Sequence, residues 1–404
     1  MAKIFDTKEE KPINEELTVY EKWEEYDLKD NLLKGIYSIG FDTPSFIQKT
    51  AIKPMLDGRD LRAQAQSGTG KTGAFTIGAL QHVREDIKAT QVLVLVSTRE
   101  LAEQNAATIK TIGKHMDVDV CVLLGGTNYK LNEAELANKP AIVVGTPGRV
   151  FHMIESQYLQ TDDISLLIID EADEMLKSSF QDQVKKIFLT LPQEKLQIAM
   201  FSATWEEEEL KIAAEILKDP VEIDLRLDEQ TLKGIEQHFV CLGDKPRDGG
   251  DILKMEALID IFNSFGVGQS VIFVNSKMKA RFLHEQVSNR GFPADVIHGD
   301  LTLEQRSNVL RRFKDGTCRC LIATGIIGRG IDIQQLSMVF NFDIPSEDER
   351  SVYIHRIGRA GRYGRRGKAV NIVFNEEMPN LKAIEKHFST SITPLPKDFS
   401  AVNN

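Results

Sequence analysis

The sequence predicts an α/β protein of two tandem domains, each a doubly wound parallel sheet, joined by a short linker. Three observations carry this. The chain has 404 residues, and single cores stop growing at about 250–300 residues. Its apolar runs are short and rich in Val and Ile, with helix-length amphipathic stretches between them, as in strands buried on both faces. The runs also fall into two series, parted by the charged, aperiodic stretch 224–234.

In order, the first series reads 61–64, 92–96, 120–124, 141–144, 166–169 and 198–201. The second reads 271–274, 295–298, 321–324, 338–342 and 369–374. Crossover helices between successive runs make both sheets parallel. The expected division is an acidic segment over 1–22, a first domain over 23–227, a linker over 228–234 and a second domain over 235–404. The stretch 245–251, Lys-Pro-Arg-Asp-Gly-Gly-Asp, reads as an exposed loop. Unusual polar clusters follow these runs almost without exception, and ligands of open α/β sheets bind outside the carboxyl ends of the strands. The chemistry is therefore expected along one edge of each sheet.

Composition narrows the class. Hydrophobic residues make up 42%, charged residues 27% and aromatics 7%, which excludes a wholly disordered, collagen-like or coiled-coil chain. No apolar run approaches the roughly 18 residues of a membrane span, and the first residues lack the apolar stretch of a secretory signal. Cys121, Cys241, Cys318 and Cys320 form neither a CxxC pair nor a disulfide framework, so a reducing, cytoplasmic location is expected, with nuclear residence as the alternative. Scattered histidines give no zinc spacing. The net charge of -10 argues against a bulk polycation coating nucleic acid. It is concentrated, however: residues 1–40 hold 10 acids against 6 bases, and 205–229 hold 10 against 3. Residues 345–368 hold 7 bases against 3 acids, so local basic strips remain.

Ala65-Gln66-Ser67-Gly68-Thr69-Gly70-Lys71-Thr72 follows one run and opens a helix. Glycines let backbone N–H groups curl around a polyphosphate at a helix N-terminus. Lys71 is expected on the β/γ-phosphates and the Thr72 hydroxyl on Mg²⁺. Ala65 stands where the strict pattern has Gly, so the match is to a variant, and a Gly-rich strand–helix turn is the alternative. About a hundred residues later, run 166–169 ends in Asp170-Glu171-Ala172-Asp173. By itself this could be an acidic helix cap. Paired with the loop, it completes an ATP or GTP hydrolase: Asp170 on Mg²⁺, Glu171 orienting and deprotonating the attacking water, Asp173 bonding across the cleft. His355-Arg356-Ile357-Gly358-Arg359-Ala360-Gly361-Arg362 adds arginines three apart, whose planar forks suit a developing phosphoryl charge. Such arginines reach a nucleotide on the first domain only if the two domains close.

Together these residues resemble the DEAD-box ATP-dependent RNA helicases. Gly40-Phe41, Pro44-Ser45 and Ile47-Gln48 precede the phosphate loop. Thr98-Arg99-Glu100-Leu101-Ala102, Gly125-Gly126, Thr146-Pro147-Gly148-Arg149, Ser202-Ala203-Thr204 and Arg329-Gly330-x-Asp332 then stand in the family's order, over roughly residues 23–390. Details around 170–176, 125–128 and 356–366 are most similar to the family's translation-initiation branch. The resemblance implies two RecA-like domains and an RNA-dependent ATPase that unwinds short duplexes locally as ATP and RNA close the domains. An ATP-gated RNA clamp serving as a platform for partner proteins is the alternative.

It also implies roles. Gln48 reads adenine, with Phe41 and Thr43 beside it and Trp23 in the place of the usual upstream Phe; Gln66, Ser67, Gly68, Thr69, Gly70, Lys71, Thr72 and Gly325 complete the ATP contacts. Lys71, Asp170, Glu171, Arg359 and Arg362 are catalytic, the last two as arginine fingers. Asp173, Ser202, Thr204 and His355 couple hydrolysis to RNA grip. Arg99, Gly126, Thr146, Arg149 and Thr324 contact RNA through phosphate and sugar, blind to sequence, with the 2′-hydroxyl separating RNA from DNA. Activator or scaffold proteins bridging the domains, and a monomeric state, are implied as well.

Four departures from the family pattern carry expectations. Gly325 follows Ala323-Thr324 where an acid usually meets the ATP ribose. Gly328 stands for Ala, loosening the backbone before Arg329. Leu303 stands for Gln three residues before Arg306, removing a polar group on the RNA side. Ser97 stands for Pro before Thr98, with a small effect on loop stiffness expected. A missing charge-assisted hydrogen bond should weaken ATP binding rather than abolish chemistry. Gly325→Asp is therefore expected to lower the apparent KM for ATP about ten- to hundred-fold in steady-state assays, and an unchanged KM would refute the assignment.

Overall fold

The computed structural model describes residues 19–66, 68–225, 235–265, 268–324, 336, 338–346, 349–360 and 367–396, without the side chains of Ser178, Phe265 and Leu303. Ser67, Gly325, Gly328, Arg362 and the linker 228–234 lie outside the described residues.

The first half opens with a 3-10 turn, Trp23–Tyr26, and helices α1 (Asp30–Ser38) and α2 (Phe46–Leu56). There follow β1 (Leu61–Gln64), α3 (Lys71–His82), β2 (Val92–Leu95), α4 (Arg99–Ile112), β3 (Val120–Leu123), α5 (Tyr129–Ala137), β4 (Ile142–Gly145) and α6 (Pro147–Glu155). It ends with β5 (Leu166–Asp170), α7 (Ala172–Met175), α8 (Ser178–Thr190), β6 (Gln197–Ser202), α9 (Glu207–Ile216) and β7 (Val221–Asp224). The second half runs β8 (Ile235–Cys241), α10 (Gly250–Phe265), β9 (Ser270–Phe273), α11 (Lys277–Asn289), β10 (Ala294–Ile297) and α12 (Leu303–Lys314). Then come β11 (Cys320–Ala323), β12 (Met338–Asn341), α13 (Arg350–Ile357), β13 (Gly367–Val373), α14 (Met378–His387) and β14 (Thr393–Pro394).

The strands form two parallel seven-stranded sheets. The first has the order β3-β4-β2-β5-β6-β1-β7 and the second β10-β11-β9-β12-β13-β8-β14. Adding seven to each number of the first order gives the second, so the two halves are wound identically. Both faces of each sheet are covered. Along β2, Val92 and Val94 pack into the layer containing Phe75 and Ile109, while Leu93 and Leu95 pack into the opposite layer with Val150 and Ile187. That is the period-2 alternation of a strand with helices on either side. Among the described residues, no helix is long and apolar enough to cross a membrane.

The expected doubly wound architecture is present, and three strands are added to it. In β7, Val221 and Ile223 are buried while Glu222 and Asp224 are exposed, so Asp224, the first residue of the stretch that suggested a linker, ends an edge strand. In β8 the polar residues are internal but satisfied. Gln237 donates to Thr390 Oγ1 at 2.7 Å and accepts from Tyr353 Oη at 3.0 Å, and His238 Nδ1 lies 3.1 Å from Thr393 Oγ1. Buried polar side chains with partners are no obstacle to a strand. The third, β14, is two residues at an edge, where Pro394 can be accommodated.

Helix ends are set by short polar side chains. Thr98 Oγ1 accepts from Leu101 N at 3.3 Å, Ser276 Oγ from Lys279 N at 3.2 Å, and Thr302 and Gln305 cap each other reciprocally. The α1–α4 contact is close enough that a Cβ on Gly35 would lie 1.8 Å from the Ile112 carbonyl oxygen. Gly35→Ala is expected to force the helices apart and cost about 1–3 kcal/mol, read as a lower urea midpoint for the first half of the chain.

Candidate functional site

Parallel winding brings the ends of β1, β5 and β6 side by side. Leu61–Gln64 pairs with 199–202 of β6, and Asp170 of β5 stands opposite Phe201. The phosphate loop, the Asp170–Asp173 cluster and Ser202-Ala203-Thr204 therefore leave one edge together.

The phosphate loop turns on glycines with positive φ, Gly68 at 83° and Gly70 at 105°, a region open to glycine without penalty. A Cβ on Gly70 would lie 2.9 Å from Gln48 Nε2, and one on Gly73 only 2.5 Å from it and 3.1 Å from Phe41 Cε2. Gln48 and Phe41 thus rest directly on the start of α3. Gln48 Oε1 accepts from Ser45 N at 2.8 Å, and its Nε2 donates to Gly70 O at 3.3 Å. Thr43 is exposed in the same segment. Trp23, in contrast, has no exposed surface and donates through Nε1 to Phe41 O at 2.8 Å. The structure makes it a support beneath Phe41 rather than an open face.

Gln66, Thr69 and Thr72 are half-buried around the loop, and Lys71 Nζ donates to Ala65 O. Burial pulls the Lys71 ammonium pKa down, opposed by Asp170, Asp173 and Glu171, and the Arg359 charge pulls in the same direction as burial. Arg359, from the second half, is therefore electrostatically part of this site. It is 3% exposed, and its Nε donates to His355 O at 3.2 Å.

Asp170 and Glu171 are nearly enclosed, and burial raises both carboxyl pKa values. Asp170 is held by Asn105 Nδ2 at 3.1 Å and by the Glu171 amide at 3.0 Å. Glu171 sits in left-handed backbone, φ 52°, which costs a non-glycine residue about 1–2 kcal/mol. Its Oε2 accepts from Ser97 Oγ at 2.8 Å. The Ser97 departure thus does more than soften a loop, because it puts a hydroxyl on the carboxylate assigned to water. Asn105 went unnoticed as one buried polar residue on an otherwise apolar helix face.

A carboxylate oxygen and the Thr72 hydroxyl are the hard donors Mg²⁺ prefers. Among the described residues no cluster of three or more His, Cys, Asp or Glu could hold a metal. Asp170 and Thr72 would be the protein's share of the ligands of such an ion, the rest coming from phosphate and water.

Asp173 is 1% exposed, and its Oδ2 accepts from Thr204 Oγ1 at 2.8 Å and from His355 Nε2 at 2.8 Å. Thr204 is itself positioned by Ser202, whose Oγ donates to Thr204 O at 2.6 Å. One carboxylate oxygen thus joins the two halves of the chain.

The other half of the first edge belongs to β3, β4 and β2. With the second half it encloses a cleft of about 1140 Å³, bordered by Arg99, Gly125, Thr146 and Arg149 on one side and Thr324 on the other. Arg99 lies over Gly126, where a Cβ would meet its Nη2 at 2.5 Å. The expected RNA contacts are thus brought to one cleft. Residues not anticipated join them: Asn275, Lys277 and Arg306 also line it. Arg306 pairs with Glu100 of the first half at 3.0 Å and donates to Gly299 O at 2.6 Å. In sequence Arg306 marks a family position on the RNA side, and nothing there points to Glu100 as its partner.

The DEAD/DEAH box helicase family model matches residues 45–212, and the helicase conserved C-terminal domain matches residues 253–364. The chain belongs to the DEAD/DEAH box helicase family. This helicase is 54% identical over 387 residues to the ATP-dependent RNA helicase eIF4A of Encephalitozoon cuniculi, covering 94% of this chain and 91% of that one. Among solved structures, it is similar to S. cerevisiae Dbp5 bound to RNA and ADP BeF3, with 32% identity, 95% and 98% coverage and a TM-score of 0.84. It is also similar to a Dbp5 variant bound to Nup159, a Gle1 variant, IP6 and ADP, with 31% identity, 93% and 97% coverage and a TM-score of 0.64.

Ser97→Ala removes a bond that favours the charged form of Glu171, so the carboxyl pKa rises further. A base must be deprotonated, so the acid limb of the helicase's pH–rate profile is expected to move to higher pH. Near neutrality the rate of ATP turnover should fall about fivefold.

Proposed function

We propose that this helicase is an RNA-dependent ATPase that separates short RNA duplexes through closure of its two lobes, in translation initiation and hence in the cytoplasm. The observation that carries the reading is the Asp173 carboxylate, bonded at once to Thr204 of its own lobe and His355 of the other. The lobe arrangement supports it: at nearly equal identity, the chain is more similar to the Dbp5 complex with RNA and ADP BeF3 than to the one with ADP and partner proteins.

In this reading ATP lies on the phosphate loop, with adenine toward Gln48 and Phe41 and the phosphates toward Lys71. Asp170 and Thr72 would hold Mg²⁺, which when bound would supply neutralisation of phosphate charge. Glu171 accepts a proton from water as the water oxygen bonds to the γ-phosphorus and the bond to the ADP oxygen breaks. Arg359, joined by Arg362, supports the charge that builds on the transferring group, which links turnover to closure. RNA occupies the cleft through phosphates and sugars along Arg99, Gly126, Thr146, Arg149 and Thr324. Closure also aligns Arg306 with Glu100. Only better binding of ATP and RNA to the closed form can drive such a cycle. The complex of the Dbp5 variant with Nup159 and Gle1 favours a second role for this chain as a platform for partner proteins.

Steady-state ATP hydrolysis with polyribonucleotide, polydeoxyribonucleotide or neither tests the reading. Strong stimulation by the ribonucleotide alone is expected. Glu171→Gln should reduce the stimulated rate roughly hundredfold or more. Turnover indifferent to RNA would refute the proposal, and slow turnover with long-lived RNA retention would favour the platform role.

A further inference from the structure

We propose that Tyr129 is a stacking platform for one unpaired base of the RNA strand, just outside the cleft. This rests on the RNA-binding reading above and extends its track.

The 125–127 loop is flanked by two guanidinium groups. Arg99 lies over Gly126, and Arg149 grips the next residue, donating through Nη2 to Thr127 O at 2.8 Å and through Nη1 to Thr127 Oγ1 at 3.2 Å. Burial and the Arg99 charge both push the Arg149 pKa down, so the two cations stand close enough to repel one another. A phosphate at this loop relieves that repulsion.

The aromatic residue comes one step further. Arg149 Nη1 also donates to Asn132 Oδ1 at 2.6 Å. Asn132 is three positions after Tyr129 on α5, so the two are neighbours on one helical face. Tyr129 therefore sits one turn from the side chain that fixes Arg149, and it is 46% exposed. Tyr158, 37% exposed, stands near enough to Glu133, four positions after Tyr129, and to Tyr129 itself for both to raise its hydroxyl pKa. The two rings continue the strip outward from the cationic loop.

A single exposed aromatic needs no explanation. Cations that hold the backbone followed by rings that take the bases are, however, the combination by which proteins bind single strands without reading sequence. For a base whose phosphate lies at Gly126 and Thr127, the exposed Tyr129 ring offers a flat apolar surface at the start of the helix that follows the loop. Every base offers a π-face, so the platform tolerates any sequence, as do the phosphate contacts beside it.

The test is fluorescence anisotropy of the full chain with single-stranded RNA and ADP plus beryllium fluoride, using strands that carry one abasic nucleotide at successive positions. Tyr129→Ala is expected to bind the intact strand about tenfold more weakly, and Tyr129→Phe to bind it normally. One abasic position should cost the wild type a similar factor and cost Tyr129→Ala nothing, the signature of a shared contact. If Tyr129→Ala binds like wild type, or every abasic position costs both proteins equally, the platform is refuted. That result would leave RNA binding itself intact. Failure of the wild type to bind would overturn the RNA reading and the platform with it.

Discussion

One carboxylate oxygen holds the arrangement together. Asp173 Oδ2 receives Thr204 from the end of β6 and His355 from α13 of the other lobe, in a setting where all three residues are nearly excluded from water. Burying a carboxylate is expensive unless its lone pairs are met by donors. The position therefore favours the state in which both donors are present and penalises their separation. Arg359 follows from it, since its guanidinium is tied to the backbone of His355 and lies near enough to the Lys71 ammonium to lower its pKa.

The order of strands explains how one edge can serve two ligands. β5, β6 and β1 are adjacent and deliver the phosphate loop and the acidic cluster, while β3, β4 and β2 deliver the glycine loop, Thr146 and Arg99. The border between the two territories is the β2–β5 pair, and there Ser97 reaches from one side to Glu171 on the other. The next residue, Thr98, caps the helix that carries Arg99, Glu100 and Asn105. A shift of that helix is therefore felt at both carboxylates through short, direct bonds. This is the kind of contiguous contact through which coupling between sites can travel.

Much of this was legible beforehand because parallel sheets separate their signals. Buried strands such as β2 and β5 are uninterrupted apolar runs with the site's polar residues at their ends, so Lys71, Asp170, Glu171 and Asp173 could be singled out, and for Asp173 its partner His355 as well. What escaped reading was decided by tertiary neighbours. β7 and β8 carry Glu222, Gln237 and His238, whose acceptability depends on an edge position or on Tyr353, Thr390 and Thr393 far along the chain. Trp23 retains an aromatic identity, but only the fold reveals that its ring is wholly buried and its N–H bonded to the Phe41 carbonyl. Ser97 looked like a lost proline, since the loop's stiffness is a local property and its bond to Glu171 is not. Glu100 and Arg306 each stand in a segment marked in the sequence, but 206 positions separate them and only the fold shows that they pair.

Identical winding has not made the two halves interchangeable. Where β1 runs into a glycine loop with a lysine, its counterpart β8 runs into Leu242-Gly243-Asp244-Lys245-Pro246, which has no Gly-Lys-Thr. Of two equal docks, one carries the phosphate loop, and its twin contributes reach instead: His355 bonds Asp173, and Arg359 lies near enough to Lys71 to lower its pKa.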